Sequence, residues 1–276
     1  MTLRRPSLSR RRPGEPVPGD PVGDVVGAAL EEPLAAAFDN RELAIAVQPI
    51  VALPGGGLEG AEVLLRWPGG PGPDVFVPVA ESTGLIVPLG RWVLSQALDV
   101  AASMACSLGA PVPISVNVSA RQLDPTFVAH VEAELARTGL PGSVLCLELT
   151  ETVAMGDVAH AAEVLRSLRA LGCQVGLDDF GTGWSTLSLV AVLPLTFIKL
   201  DRTFVAALDS DSGTKVARAV LGLGRDLELS VVAEGVETPG QARTLHAMGC
   251  KLAQGYLFGR PTLRLDEVVP PQHTVV

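Results

Sequence analysis

From about residue 28 the chain alternates short apolar runs with longer amphipathic ones. Ala28–Arg41 has the spacing of a helix. Ala44–Ala52 alternates in the manner of a strand and runs into Pro-Gly-Gly-Gly at 54–57, after which Leu58–Trp67 forms a second strand. A turn this short forces antiparallel pairing. Beyond it the pattern predicts strands at Pro113–Val118, Val144–Leu149, Gln174–Asp178, Thr196–Leu200, Ser230–Ala233 and Lys251–Gly255. The intervening helices centre on 92–106, 125–138, 158–171, 184–192, 214–227 and 239–248. Each strand is short, apolar and rich in β-branched residues, as expected where helices cover its outer side. Eight strands, two in an opening hairpin and six in a repeated βα pattern, predict a single α/β domain over residues 28–268. Its architecture is a modified TIM (β/α)8 barrel with one antiparallel strand. The alternative is an open doubly wound sheet, but no glycine-rich dinucleotide turn follows any strand. Residues 1–24 hold five arginines, five prolines and no aromatic residue, and are expected to form a disordered N-terminal tail.

Composition narrows the picture. A chain of 276 residues that is 47% hydrophobic can bury an ordinary core, and global disorder is excluded. The net charge of −9 argues against a protein that coats nucleic acid or an anionic membrane. Cysteines 106, 146, 173 and 250 show no C-x-x-C spacing, so a zinc cluster is not expected; apolar flanks suggest buried free thiols in a reducing compartment. The uncharged stretches 100–120 and 180–198 are broken by proline, glycine or asparagine, so neither reads as a membrane span. No apolar segment follows the arginine-rich start as in a secretory signal. The expected location is cytoplasmic.

Polar residues recur where the apolar strands end. They are Asn117, then Glu148 with Thr150-Glu151, Asp178-Asp179, Lys199 with Asp201, Glu234 with Glu237, and Gln254. Glu62, midway along the second strand, can point into the same mouth. In a parallel barrel all C-terminal strand ends meet on one rim, where such barrels do their chemistry. Taken singly, each carboxylate is an ordinary helix cap or solvated turn. Asp178-Asp-Phe-Gly181 without a glycine-rich phosphate loop is not a kinase signature. Their recurrence at successive strand ends is the signal. So many carboxylates cannot all ionise in a partly dry site unless cations neutralise them. All-oxygen ligands favour Mg²⁺ or Mn²⁺ over zinc, and adjacent aspartates suit a two-metal arrangement. Lys199, one of three lysines in the chain, would orient a water or offset charge on a phosphate.

These residues fall in segments that resemble the EAL domain family, bacterial phosphodiesterases of cyclic di-GMP. The segments are Gln48–Val51, Glu62–Trp67, Phe76–Ile86, Val116–Ser119, Glu148–Glu151, Asp178–Ser185, Ile198–Arg202, Ala233–Thr238 and Gln254–Phe258, which together cover about residues 40–262. The resemblance implies an EAL-type barrel that hydrolyses cyclic di-GMP to linear pGpG with two Mg²⁺ or Mn²⁺ ions and is inhibited by Ca²⁺. It implies that Glu62, Asn117, Glu148 and Asp178 hold the first ion and that Asp178 and Asp179 are associated with the second. Lys199 and Glu234 are implied to hold and deprotonate the attacking water, and Gln254 and Glu237 to support metal-bound water or substrate. Gln48, Leu64 and Arg66 are implied substrate contacts. Glu151 is implied to anchor the Asp178–Gly181 loop and to couple metal binding to a homodimer. The family's usual residues are replaced by Val47, Val63, Trp184 and Thr186. Val63 would add two methyl groups beside Glu62, and none of these changes removes a ligand. No cyclase signature accompanies the domain, so control is expected through expression, oligomerisation or an unidentified regulatory partner. Two other functions stay open: a catalytically silent cyclic di-GMP receptor, and a phosphodiesterase with another substrate such as pGpG.

Overall fold

The computed structural model describes residues 21–150, 157–181, 186–264 and 268. Eight strands close a barrel in sequence order: β1 Ala44–Ala52, β2 Leu58–Arg66, β3 Ile114–Asn117, β4 Leu145–Thr150, β5 Gln174–Phe180, β6 Phe197–Leu200, β7 Ser230–Ala233 and β8 Leu252–Gln254. β1 runs antiparallel to both β2 and β8, and every other pair is parallel. All eight predicted strands are present and the opening hairpin has the expected sense. Closure leaves no unpaired sheet edge.

Helices alternate with the strands: α1 Pro21–Asp39, α2 Pro73–Thr83, α3 Ile86–Leu108, α4 Pro125–Thr138, α5 Val158–Ala170, α6 Thr186–Val192, α7 Arg202–Ala206, α8 Asp211–Asp226 and α9 Pro239–Ala247. The first begins seven residues before Ala28, so Pro21–Asp24, read from sequence as the end of the tail, lie at its start; residues 1–20 are outside the described residues. Two helices escape the sequence pattern. α2 carries Pro73 at its first turn and Pro78 inside it, which disguises the helix. α7 has five residues, too few to show a period.

Strand register sorts the side chains. Gln48 pairs with Glu62, Asn117 with Glu148, and Ile50 with Gln254, so these share the inner face. Two residues away along their strands, Ile50, Cys146, Phe197 and Val232 form a buried apolar plug inside the barrel. The positions between them, such as Val47, Val63, Val116, Leu147, Leu177 and Ile198, face outward into the main core under the helices. Gly176 is inward-facing on β5, and a Cβ there would overlap the Phe197 ring. Glycine at that position lets Phe197 fill the barrel interior. A second core joins α1, α2 and the start of α3 through Leu34, Phe76, Val79 and Leu89.

Val63 belongs to the outward set and is 1% exposed among core residues. Its extra methyl groups therefore lie on the opposite face of β2 from Glu62 and do not crowd it, which corrects the expectation drawn from adjacency in sequence. Cys146, Cys173 and Cys250 are buried free thiols, whereas Cys106, near the end of α3, is exposed.

Candidate active site

At the C-terminal end of the barrel the inward register delivers Gln48, Glu62, Asn117, Glu148, Asp178, Lys199, Glu234 and Gln254 above the apolar plug. The central group is Lys199, whose side chain is 1% exposed. Its ammonium lies 2.7 Å from Glu234 Oε1, 2.9 Å from Glu148 Oε2, 3.3 Å from Glu62 Oε2 and 3.4 Å from Asp178 Oδ1. Glu62 Oε2 also accepts from Gln254 Nε2 at 2.8 Å, and its Oε1 accepts from Asn117 Nδ2 at 2.9 Å. Gln254 Nε2 donates a second time, to Gln48 Oε1 at 3.0 Å, and Gln48 Nε2 donates to Gly259 O at 3.0 Å.

β5 brings two consecutive carboxylates to this rim. Strict alternation would send Asp178 inward and Asp179 outward. The pairing of β5 with β6 shifts between Leu177 and Phe180, and Asp179 takes a left-handed conformation with φ of 54°. A short polar side chain tolerates that conformation best, and the Asp179 amide donates to Asp178 Oδ1 at 2.9 Å. Carboxylate oxygens of Asp178, Asp179 and Glu234 all lie within 4.8 Å of one another, close enough to ligate one cation.

Burial sets the protonation of the cluster. It pushes Glu148 up to about 8, the attraction of Lys199 offsetting it only in part. Burial likewise raises Asp178 and lifts Glu234 well above the carboxylate range. Asp179 rises to about 6 through desolvation, then the charges of Asp178 and Asp201. Burial would raise Glu62 too, but Lys199 and the bonds from Gln254 and Asn117 outweigh it, and its carboxyl is held below the ordinary value. Burial alone would lower Lys199; four carboxylates reverse this and keep it an ammonium. One lysine thus faces more carboxylates than it can neutralise. Glu148 Oε1 and Gln254 Oε1 are buried with no hydrogen-bond partner. An orphaned carboxylate oxygen among hard oxygen donors fits a divalent cation such as Mg²⁺.

Two clefts flank the carboxylates. One, of about 510 Å³, includes Gln48, Glu237 and Tyr256; the other, of about 610 Å³, includes Arg66, Val77 and Asn117. Both share Glu62, Leu64, Asp178, Asp179 and Arg202. The structure therefore brings together every site residue expected from sequence except Glu151. That residue, like Trp184, lies outside the described residues. Besides two glycines, Gly235 and Gly255, three residues of the first cleft escaped the candidate set: Arg202, Thr203 and Tyr256. A fourth, Asp201, was seen at its strand end but given no role. It is 6% exposed and caps α7, accepting from the amide and hydroxyl of Thr203. The Asp-x-Thr spacing after an apolar strand is the signal that could have found it.

The family model for the EAL domain matches residues 31–261. Among curated relatives, the bifunctional diguanylate cyclase/cyclic di-GMP phosphodiesterase MucR of Pseudomonas aeruginosa is 41% identical over 231 residues, covering 82% of this chain and 34% of its own length. An uncharacterised protein of Mycobacterium tuberculosis is 40% identical over 242 residues, covering 84% of this chain and 79% of its own. The chain thus spans about a third of the length of MucR and of some other relatives it matches. A solved structure described as the MucR phosphodiesterase in complex with c-di-GMP superposes with a TM-score of 0.79 at 40% identity, covering 85% of this chain and 97% of that one.

Proposed function

The chain belongs to the EAL domain family, and on that premise we propose that it hydrolyses cyclic di-GMP to linear pGpG with the help of two divalent cations, Mg²⁺ or Mn²⁺. The observation that carries this reading is the buried cluster itself: Glu62, Glu148, Asp178 and Glu234 around Lys199, with Glu148 Oε1 lacking a partner. Glu62, Asn117, Glu148 and Asp178 would hold one ion, and Asp178 with Asp179 the other. Bound there, such cations polarise phosphoryl oxygens and lower the pKa of a bound water.

The chain's own groups do the rest. Lys199 orients the attacking water. Glu234, whose side chain is 18% exposed, is open to the cleft and, ionised once bound cations offset the neighbouring carboxylates, would take the water's proton. The water oxygen bonds to phosphorus, the bond to the 3′-oxygen breaks, and the linear dinucleotide leaves with a 5′-phosphate. Gln254, fixed by Glu62 and Gln48, has a buried, unpartnered Oε1 that would accept a hydrogen bond from a bound water. Two clefts on either side of a shared acidic centre suit a molecule with two guanine bases around a phosphate-linked core. Leu64 borders both, Arg66 and Glu237 one each. Control by homodimerisation or by a separate regulatory partner, and a place in the cytoplasm, where buried thiols stay reduced, belong to the same proposal. A silent receptor is the less favoured reading, because the carboxylates, the asparagine and the lysine are all retained.

The test is incubation of purified chain with cyclic di-GMP and Mg²⁺ or Mn²⁺, with products resolved by chromatography. Accumulation of pGpG is expected. Tight binding with no product over many hours would favour the receptor instead.

A further inference from the structure

Across the two clefts the positively charged lining residues are Lys199, Arg66 and Arg202. A cyclic dinucleotide brings two phosphodiester anions to a mouth lined by Glu62, Asp178, Asp179, Glu234 and Glu237. Lys199 is 1% exposed and its single charge is already offset by four carboxylates, so it brings no surplus positive charge to a phosphodiester. Arg66 borders only the second cleft, and its Nη1 is bonded to Leu65 O at 2.9 Å. Arg202 differs from both. It borders both clefts, is exposed, and its guanidinium has no hydrogen bond or ion pair among the described residues.

Its backbone is nonetheless fixed. On one side Asp201 caps α7 through the Thr203 amide at 2.9 Å and the Thr203 hydroxyl. On the other, Gly235 has φ of 64° and closes on the stem of Arg202; a Cβ at 235 would stand 2.5 Å from Arg202 Cβ and 3.3 Å from its Cα. Gly235 lies between Glu234 and Val236, so the loop that carries Glu234 is packed directly on residue 202. A planar guanidinium with all donors free, on a fixed stem at the junction of two clefts, suits a two-pronged bond to a phosphodiester.

We propose that Arg202 is a substrate-binding residue that clamps a phosphodiester group where the two clefts meet. The inference rests on the phosphodiesterase reading above and adds to it a residue and a charge. The base-binding alternative is distinguished by substrate: the phosphate is common to all diesters, whereas guanine is not.

The experiment measures kcat and KM for cyclic di-GMP and for bis(p-nitrophenyl) phosphate, a diester without guanine, in wild type, Arg202→Ala and Arg202→Lys. Calorimetric binding of cyclic di-GMP and melting midpoints accompany the kinetics. Arg202→Ala is expected to lower kcat/KM on both substrates about 10- to 100-fold, as loss of a charge-assisted bond does. Arg202→Lys should recover part of that loss, and both midpoints should stay within about 2 °C of wild type, since no bond of the folded chain is removed. The clamp is overturned if Arg202→Ala stays within twofold of wild type on cyclic di-GMP. It is equally overturned if the loss spares the nitrophenyl diester, which would make Arg202 a base reader. A wild type that neither binds nor hydrolyses cyclic di-GMP would overturn the phosphodiesterase reading and this inference with it.

Discussion

Lys199 and Glu148 hold opposite ends of one electrostatic problem. A lysine that is 1% exposed stays charged because carboxylates surround it, and Glu148 keeps a proton because burial penalises its charge by more than Lys199 offsets. If Lys199 positions water, its loss acts on the transition state more than on binding. Lys199→Ala is expected to cut hydrolysis of cyclic di-GMP at least about 100-fold while leaving its dissociation constant within a few-fold; parallel loss of binding would assign Lys199 to the substrate instead. The same balance fixes a pH dependence. Glu148 rises from 4.5 to about 8 on folding, so between those values the folded chain holds a proton that the unfolded chain has released. The metal-free chain should therefore lose stability as pH climbs from about 5 to about 8. Glu234 and Asp179, also raised, act in the same direction. Glu62 is lowered, so its opposite contribution falls below pH 4.5, outside the window. A cation that replaces the proton should stabilise the chain more as pH rises. Melting curves with Mg²⁺ and with EDTA are expected to differ more at pH 8.5 than at pH 6; an equal or smaller difference at the higher pH would contradict this charge assignment.

At the scale of elements, β5 and β6 place the chemistry through packing. Phe197 fills the barrel two residues before Lys199, and Gly176 makes room for it two residues before Asp178. Gly176→Ala is expected to cost about 1–3 kcal/mol in denaturant unfolding, as overpacking does. Adding Phe197→Leu should return at least half of that cost, because the two changes share one space; simple additivity would mean that the ring and the glycine do not compete. The strands were legible in sequence because each is a short apolar run that ends in a polar residue, and the hairpin because Pro54–Gly57 leaves no room for a crossover. Facing was less legible: adjacency suggested that the methyl groups of Val63 sit beside Glu62, whereas a period of two puts them on opposite faces. α2 was hidden by Pro78, and α7 by its length. The paired use of Asp178 and Asp179 could be guessed from their adjacency, but the shifted register and left-handed turn that aim both at the rim have no local signature. Arg202 was passed over for a related reason: an arginine after a strand is ordinary until two clefts are seen to meet beside it.

The whole molecule is acidic, with net charge −9, and its most enclosed polar centre is acidic as well. An anionic dinucleotide meets such a barrel productively only when cations reverse the local charge. Closure of the sheet and the apolar plug beneath keep Glu148 and Lys199 dry, which strengthens each attraction they make. No described helix is long and apolar enough to cross a membrane. An acidic centre facing an anionic substrate makes metal dependence the decisive property. The most direct measurement is turnover of cyclic di-GMP by protein exhaustively stripped with EDTA, then titrated with Mn²⁺ and afterwards with excess Ca²⁺, with pGpG followed by chromatography. The expected result is no turnover in the stripped protein, recovery with Mn²⁺, and suppression by Ca²⁺, which coordinates more loosely and at longer distance. Full turnover in the stripped protein would contradict the account.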